Sequence, residues 1–362
     1  MKYVLIILAV IIFIAAAVSF AVTRDGKAVT TIGEGTVQTA SGTFEAFPLP
    51  DYAAAAVTGD YKSYLIEVEP GIKIHVLEVG EGYPVYLQHG NPTNGLLYRR
   101  IVEELPTDEL RLIMPTIVGL GFSSKIPASE HNLEDHSRWM GAALEQLDLG
   151  ELVYVGQDWG GAIGMGALGH NPELLKGAVL MNTGFTAPTE PMDISRIHAI
   201  VKTPVLGELM LENLVSIFDR LNESQGDPAS MPPEVSDLYG RPVLESGNKK
   251  GPLALMRMVP DGPDHPSTPE LRVIEDYARE LDIEAEIVWG MNDPILAQAL
   301  PTMMDMFPDA PVLETEAGHF LQEEVPVEIA AAILRVVAAV QPVPEVIDVM
   351  DADGTGSEVP LD

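Results

Sequence analysis

Short apolar runs rich in β-branched residues recur through the middle of the chain, and segments of helical length separate most of them. Runs of this length and composition are typical of buried strands. The predicted strands are 63–69, 72–79, 84–88, 111–115, 152–156, 178–182, 285–289 and 311–315. After the second strand, helical patterns such as 135–147, 161–169 and 327–340 alternate with the strands, as βαβ units require. The pattern predicts an α/β fold in which helices flank a mostly parallel central sheet with an antiparallel start.

The alternation stops between 186 and 269, where amphipathic segments and many prolines replace the strand pattern. The strand pattern resumes at Ala285. This interval predicts a helical cap inserted into an α/β core, whose two parts are residues 61–185 and 270–340.

The N-terminal residues 1–22 differ from the rest, because residues 3–22 carry no charge and are rich in Ile, Val, Leu and Ala. At about 1.5 Å per helical residue, this run is long enough to cross a bilayer. We expect a retained transmembrane anchor, because the run is longer than a usual signal-peptide core, and we expect the rest of the chain to be exported to the periplasmic side. The alternative is cleavage near Ser19-Phe20-Ala21, which would give a secreted protein.

Two further segments lie outside the predicted core. Residues 23–60 are rich in small and polar residues and predict a linker. Residues 341–362 contain six acidic residues, three prolines and no basic residue, which predicts an acidic disordered tail.

Charge and cysteine content exclude several classes of function. The 21 Lys and Arg residues against 54 Asp and Glu residues give a net charge of -33, which repels nucleic acid phosphates. We therefore expect no nucleic acid partner. The chain has no cysteine, which excludes disulfides, a thiolate nucleophile and a zinc-thiolate site.

The strongest chemical motif follows the strand predicted at 152–156, where the chain reads Gly156-Gln157-Asp158-Trp159-Gly160-Gly161 before a small-residue helix. This is the glycine-flanked nucleophile elbow of a strand-turn-helix, with aspartate in the place of serine. A helix N-cap alone would need neither the flanking glycines nor the preceding strand. Asp158 is therefore the candidate nucleophile.

An aspartate nucleophile restricts the reaction. Attack on an ester carbonyl would give an anhydride and gain little, whereas attack on a saturated carbon that bears a leaving group gives an ordinary alkyl ester. Water must then cleave that ester, which requires a general base and an acid that orients it.

His319, in Gly318-His319-Phe320 after the last predicted strand, is the candidate base. Asp293, in the turn after the preceding strand, is the candidate acid. A surface histidine and a simple turn are the alternatives for each residue taken alone. The chain order of nucleophile, acid and histidine favours a triad.

The leaving group needs uncharged donors. The strand at 84–88 ends in His89-Gly90-Asn91-Pro92-Thr93, a loop whose backbone N–H groups can form an oxyanion hole with the N–H of Trp159. The side-chain amide of Asn91 and the indole of Trp159 add two neutral donors, which suit a departing halide. His89 is interpreted as structural, and Trp159 taken alone could equally be a core residue.

The motifs HGNPT, GQDWGG, WGMNDP and GHFLQEE, in this order, resemble those of the haloalkane dehalogenases of the α/β-hydrolase superfamily. The resemblance covers residues 61–340. It implies an α/β-hydrolase fold and the hydrolysis of haloalkanes to alcohol, halide and a proton through an aspartyl ester, with water as co-substrate and no metal or cofactor.

The resemblance also implies roles for individual residues. Asp158 would attack carbon, His319 would activate water, and Asn91 with Trp159 would hold the halide, because no tryptophan lies in the predicted cap. Some members of the family place the acid after the strand before the cap, but Met181-Asn182-Thr183 has no carboxylate there, which leaves Asp293 as the acid. This combination resembles the third subfamily.

Two alternatives remain at this stage. Epoxide hydrolases also use an aspartate nucleophile, but they need cap tyrosines, and Tyr239 is the only tyrosine in the predicted cap. A non-catalytic, membrane-tethered binding protein on the same fold is the other alternative. The triad in its catalytic order argues against it. The sequence predicts neither the oligomeric state nor the preferred haloalkane.

Overall fold

The strands of the protein follow the apolar runs closely. The computed structural model describes residues 13, 16, 19, 20, 22–214, 216–341, 347–350 and 356–359. Within them the strands are β1 (Thr36–Thr39), β2 (Gly42–Ala46), β3 (Lys62–Glu69), β4 (Ile72–Val79), β5 (Tyr83–Gln88), β6 (Leu110–Pro115), β7 (Leu152–Gln157), β8 (Leu175–Met181), β9 (Glu284–Gly290), β10 (Val312–Thr315), β11 (Ile347–Met350) and β12 (Gly356–Val359).

The helices lie between these strands. They are α1 (Asp51–Ala54), α2 (Arg99–Val102), α3 (Leu133–Leu147), α4 (Trp159–Gly169), α5 (Arg196–Lys202), α6 (Leu206–Glu208), α7 (Pro233–Leu244), α8 (Gly251–Arg257), α9 (Thr268–Arg279), α10 (Leu300–Met306) and α11 (Pro326–Val340). Shorter 3-10 turns and one π-helical segment, Leu209–Leu214, complete the helical structure.

Ten strands form one sheet in the order β1-β2-β3-β4-β6-β5-β7-β8-β9-β10. The pairs from β1 to β6 along this order are antiparallel, and the pairs from β6 to β10 are parallel. The predicted α/β fold and its antiparallel start are confirmed. Since parallel strands point the same way, β5, β7, β8 and β9 bring the loops that follow them to one edge of the sheet.

Alternate residues of the central strands enter separate cores on the two faces of the sheet. Tyr86 and Tyr154 belong to the cluster that includes α3, α4 and α9. Val85 and Val153 belong to the cluster that includes α11 and part of the cap. Both faces of the central sheet are therefore covered, as a parallel sheet requires.

The predicted linker at 23–60 is wrong for its second half. Strands β1 and β2 pair with each other, and β2 extends the main sheet by pairing with β3. The ring of Phe44 stacks on that of Tyr64 with centroids 4.9 Å apart, which gives this polar hairpin an apolar anchor. Its strands are only four and five residues long, which is why composition alone suggested a linker.

The first part of the same segment is also attached to the domain. Val29 pairs with Lys125 in an antiparallel bridge. The side chain of Asn248, in the cap, donates to the carbonyl of Lys27 at 2.8 Å. The segment therefore contacts both the core and the cap.

The region predicted as a cap, residues 186–269, follows β8 and contains helices α5 to α8 and the π-helical segment. Helix α9 begins at Thr268 and packs against α4 of the core. The interval without strands thus separates β8 from β9, as the sequence pattern indicated.

The predicted ends of the chain lie largely outside the described residues. The predicted anchor at 3–22 is described only at residues 13, 16, 19, 20 and 22, and it stays a prediction. No helix in the described part of the chain is long and apolar enough to cross a membrane. Within the tail predicted as disordered, β11 and β12 form a two-stranded antiparallel sheet, in which Ile347 pairs with Val359.

Candidate active site

The elbow forms where β7 ends and α4 begins. Asp158 lies between them with φ 52° and ψ -130°, a backbone conformation that few residues other than glycine adopt. The hydroxyl of Thr183, just after β8, donates to the carbonyl of Asp158 at 2.7 Å. A strained residue held by its surroundings at the carboxyl edge of a sheet is a common feature of functional sites.

Two glycines make this turn possible through close approach. A Cβ atom on Gly160 would lie 2.2 Å from the carbonyl oxygen of Gln88, at the end of β5. A Cβ atom on Gly90 would lie 2.4 Å from the Cβ of Asp158. The elbow and the loop after β5 can therefore touch only because both positions lack a side chain.

The carboxylate of Asp158 is held by backbone donors. Its Oδ1 accepts a hydrogen bond from the backbone N–H of Asn91 at 2.7 Å, and the backbone N–H of Trp159 also donates to the carboxylate. Burial raises the pKa of Asp158, while the charge of His319 and these two donors lower it, and the net direction is upward. The side chain of Asp158 keeps 16% of its exposure, so it is not closed off completely.

His319 lies between two carboxylates. Its Nδ1 is 2.9 Å from Oδ2 of Asp293, and its Nε2 is 3.7 Å from Oδ2 of Asp158, too far for a direct hydrogen bond. Burial alone would lower the pKa of His319, but the charge and hydrogen bond of Asp293 and the charge of Asp158 raise it to about 9. The imidazole is thus oriented by Asp293 and faces Asp158.

Asp293 lies in the loop after β9 and is buried. Its Oδ1 accepts from the backbone N–H of Ile295 at 2.7 Å, and its Oδ2 accepts from the side-chain amide of Asn182 at 2.8 Å. Burial would raise the pKa of Asp293, but His319 and these donors outweigh it, so the pKa is lowered. The carboxylate is therefore held in its charged form beside the imidazole.

Asn182 is a site residue that the sequence did not reveal. It was noted only as a position without a carboxylate, yet its side chain both donates to Asp293 and accepts from the backbone N–H of Gly290 at 2.7 Å. It has a positive φ of 28° and is fully buried. Asn182 thereby fixes the loop that carries Asp293, and the sequence carried no signal of this role, because Asn182 falls at the end of the strand predicted at 178–182.

The predicted halide residues lie beside Asp158. Asn91 contacts it through its backbone, and Trp159 follows it in the chain; both side chains are 8% exposed. The side-chain amide of Asn91 donates to the carbonyl of Pro252 in the cap at 3.2 Å. An amide has two N–H donors, so one remains for a ligand. The indole N–H of Trp159 has no protein acceptor within the described residues.

His89 supports the loop that carries Asn91. Its Nδ1 lies 2.7 Å from the carbonyl of Gly90, and its Nε2 accepts from the backbone N–H of Ile117 at 3.1 Å. Burial lowers its pKa to about 4, so the ring is neutral, with the proton on Nδ1. This matches the structural role expected from the sequence.

Tyr239, the single tyrosine of the predicted cap, is not placed to donate a proton to a substrate. It is fully buried, and its hydroxyl donates to Glu323 and accepts from Arg99 at 3.0 Å. Arg99 also forms a bidentate ion pair with Glu323. The tyrosine therefore belongs to a buried polar cluster between cap and core.

Comparisons with known proteins agree with this geometry. The family model of the alpha/beta hydrolase fold matches residues 83–203. Haloalkane dehalogenase 2 of Mycobacterium tuberculosis is 28% identical over 268 residues, which cover 73% of this chain and 91% of that protein. The cis-3-alkyl-4-alkyloxetan-2-one decarboxylase of Shewanella oneidensis is 28% identical over 274 residues, which cover 73% of this chain and 84% of that protein.

A comparison with a solved structure also shows a similarity to a haloalkane dehalogenase. The haloalkane dehalogenase DatA from Agrobacterium tumefaciens C58 superposes with a TM-score of 0.68 at 26% identity, over 78% of this chain and 99% of that chain. The sheet order, the elbow and the match to the family model together establish the α/β-hydrolase fold. The chain has the α/β-hydrolase fold and is similar in sequence to haloalkane dehalogenases over 73% of its length.

Proposed function

We propose that the protein is a haloalkane dehalogenase that converts a haloalkane and water into an alcohol, a halide ion and a proton. The observation that carries the proposal is the carboxylate of Asp158, with Nε2 of His319 3.7 Å from its Oδ2 and the uncharged donors of Asn91 and Trp159 beside it. Carbon-halogen bonds suit this site, because a halide leaves as an anion and needs no proton.

In the first step, Oδ2 of Asp158 attacks the carbon that bears the halogen. The new C–O bond forms as the C–X bond breaks, and the halogen leaves with the bonding electrons. Oδ1 is the oxygen held by the backbone N–H of Asn91, which leaves Oδ2 free to attack. The side-chain N–H groups of Asn91 and Trp159 would stabilise the departing halide.

In the second step, water attacks the carbonyl carbon of the aspartyl ester. Nε2 of His319 takes the proton of the water, and the backbone N–H groups of Asn91 and Trp159 stabilise the negative charge on the former Oδ1. Collapse of this intermediate breaks the bond between the acyl carbon and the alkoxy oxygen. The alkoxy oxygen takes the proton from Nε2 of His319 and leaves as the alcohol, and the new carboxyl group loses its proton to solvent, which restores the carboxylate of Asp158.

The charges explain how His319 becomes a base when it is needed. In the free site its pKa is raised in part by the charge of Asp158. Esterification removes that charge, which lowers the pKa of His319 from its value in the free site. The imidazole therefore loses a proton to solvent more readily at the step in which it must accept one from water.

The test is release of bromide from short bromoalkanes by the protein lacking residues 1–22. We expect release by the wild type and none by D158A, because the variant has no nucleophile. Release at the wild-type rate by D158A would refute the mechanism. Trp139, far along α3, offers a matched control, since W139F changes a buried residue without touching the carboxylates.

The substrate panel should include styrene oxide and a cis-3,4-dialkyl oxetan-2-one. The first represents the epoxide alternative, which the burial of Tyr239 disfavours. The second is included because one relative, at the same identity as the dehalogenase, is named for that substrate. Turnover of either compound without any halide release from haloalkanes would overturn the proposal.

A further inference from the structure

The loop that carries His319 is attached to the cap by its main chain. The backbone N–H of His319 donates to the carbonyl of Ser224 at 2.7 Å. Ser224 ends the 3-10 segment Ile217–Ser224 within the cap region. A Cβ atom on Gly318 would lie 2.2 Å from the same carbonyl, so the two segments approach as closely as a glycine allows.

Gln225, the next cap residue, binds both main-chain groups of the residue after the histidine. Its Oε1 accepts from the N–H of Phe320 at 3.0 Å, and its Nε2 donates to the carbonyl of Phe320 at 3.1 Å. If the amide were reversed, Nε2 would face the N–H of Phe320 and Oε1 would face its carbonyl. Neither pair can form a hydrogen bond, so these two bonds fix the orientation of the side chain. The residue is 7% exposed, so solvent does not replace these bonds easily.

On the core side, the carboxylate of Glu324 binds both the cap segment and the loop of His319. Glu324 accepts from the N–H of Gly318 at 2.6 Å, from that of Gly226 at 3.2 Å and from that of Asp227 at 2.5 Å. The cap segment 224–227 and the histidine loop 318–320 are thus joined on both sides of His319. These bonds hold the main chain on either side of His319, whose imidazole is bonded to Asp293.

We propose that Gln225 is a positioning residue for hydrolysis of the aspartyl ester, acting through the main chain of Phe320 on the placement of His319. This proposal rests on the proposed function. The amide holds the backbone directly after the base, so its loss would let Nε2 of His319 move relative to the ester. A base displaced by about 1 Å can lose about 100-fold in rate.

The two steps of the reaction separate this role from general support of the fold. Attack by Asp158 does not need the base, whereas hydrolysis of the ester does. A misplaced His319 therefore leaves halide release in the first turnover intact and makes the alkyl-enzyme accumulate. A purely structural role would lower thermal stability or the active fraction without accumulation of the ester.

The experiment compares Q225M, Q225E and S230A with the wild type. Methionine keeps the length of the side chain but removes both bonds to Phe320, and glutamate keeps only the acceptor. S230A is the matched control, because it removes the bond of Gln225 Nε2 to Ser230 at 3.0 Å and leaves both bonds to Phe320. The readouts are single-turnover bromide release, the steady-state rate, and the intact mass of enzyme quenched during turnover.

We expect Q225M to hydrolyse the ester about 10- to 100-fold more slowly and to accumulate alkyl-enzyme, with Q225E between it and the wild type and S230A unchanged. Hydrolysis within about twofold of the wild type in a folded Q225M would overturn the proposal. If Q225M does not fold, the same criterion applies to Q225E.

A substrate-independent readout separates this proposal from the proposed function. We expect the proton between His319 Nδ1 and Asp293 Oδ2, which are 2.9 Å apart, to give a downfield resonance in proton NMR spectra. We expect this resonance to shift or broaden in Q225M and to stay in S230A. If no haloalkane is turned over by the wild type, the proposed function fails, and an unchanged resonance in Q225M would then refute the positioning role.

Discussion

The proposed nucleophile, Asp158, and the proposed base, His319, are held by different parts of the molecule. Asp158 is fixed by core elements alone: the strained elbow, the N–H of Asn91 and the hydroxyl of Thr183. The loop of His319 is fixed partly by the core and partly by cap residues such as Gln225. The difference teaches that changes in the cap should affect ester hydrolysis more than ester formation.

The strongest way to test this separation is to remove the base. We expect H319Q to release about one bromide per enzyme and then stop, because Asp158 still attacks but the ester cannot be hydrolysed. The steady-state rate should fall by about 1,000-fold or more. Rapid-quench measurement of bromide checks this; continued turnover without accumulated ester would show that His319 is not the base.

Removal of the charge of Asp293 should have a smaller effect of the same kind. D293N keeps the shape of the side chain but loses the charge that raises the pKa of His319 and one of its two acceptor oxygens, both of which accept hydrogen bonds in the wild type. We expect ester hydrolysis to slow by about 100-fold, with the first turnover little changed. Single-turnover rates of both steps provide the measurement, and an equal loss in both would argue against the assigned role.

The pH dependence of stability tests the charge state of His319. Its folded pKa of about 9 lies above the unperturbed 6.5, so its contribution to stability is complete below pH 6.5 and is lost as the pH rises through 9. The shift corresponds to about 3 kcal/mol. Urea unfolding of wild type and H319Q at pH 6 and pH 10 should show this loss in the wild type only; parallel losses would contradict the raised pKa.

The halide site should give the smallest effect. N91A removes one neutral donor, and we expect the affinity for bromide to fall by about 10-fold, as for loss of one hydrogen bond to an anion. Quenching of tryptophan fluorescence by bromide measures this affinity. N171A is the matched control, because Asn171 donates its amide to a backbone carbonyl at the same 3.2 Å but lies at the end of α4. Equal affinities in N91A and the wild type would exclude Asn91 as a halide ligand.

The central fold could be predicted because its strands are continuous apolar runs bounded by turn residues. All eight predicted strands are present as β3 to β10 within two or three residues of their expected ends. The hairpin of β1 and β2 could not be predicted, because its strands are short and polar and are stabilised by the pairing of β2 with β3. Such stability depends on tertiary contacts rather than on local composition.

In the site, too, residues with a local sequence motif could be predicted, and residues that depend on tertiary contacts could not. Asp158, Asp293 and His319 carry recognisable motifs in a fixed chain order, and the structure brings them together. Asn182 and Gln225 carry no such signal, because their roles arise from hydrogen bonds to residues about a hundred positions away in the chain. Neutral amides that support a charged residue are visible only once the loops are in place.

The most direct test of the account is a single turnover of a bromoalkane in water labelled with oxygen-18. Because water attacks the acyl carbon of the ester, we expect the label in the carboxylate of Asp158 and unlabelled oxygen in the alcohol. Mass spectrometry of the alcohol and of the peptide that contains Asp158 measures both. Labelled alcohol together with an unlabelled Asp158 would mean direct attack of water on the haloalkane and would contradict the covalent mechanism.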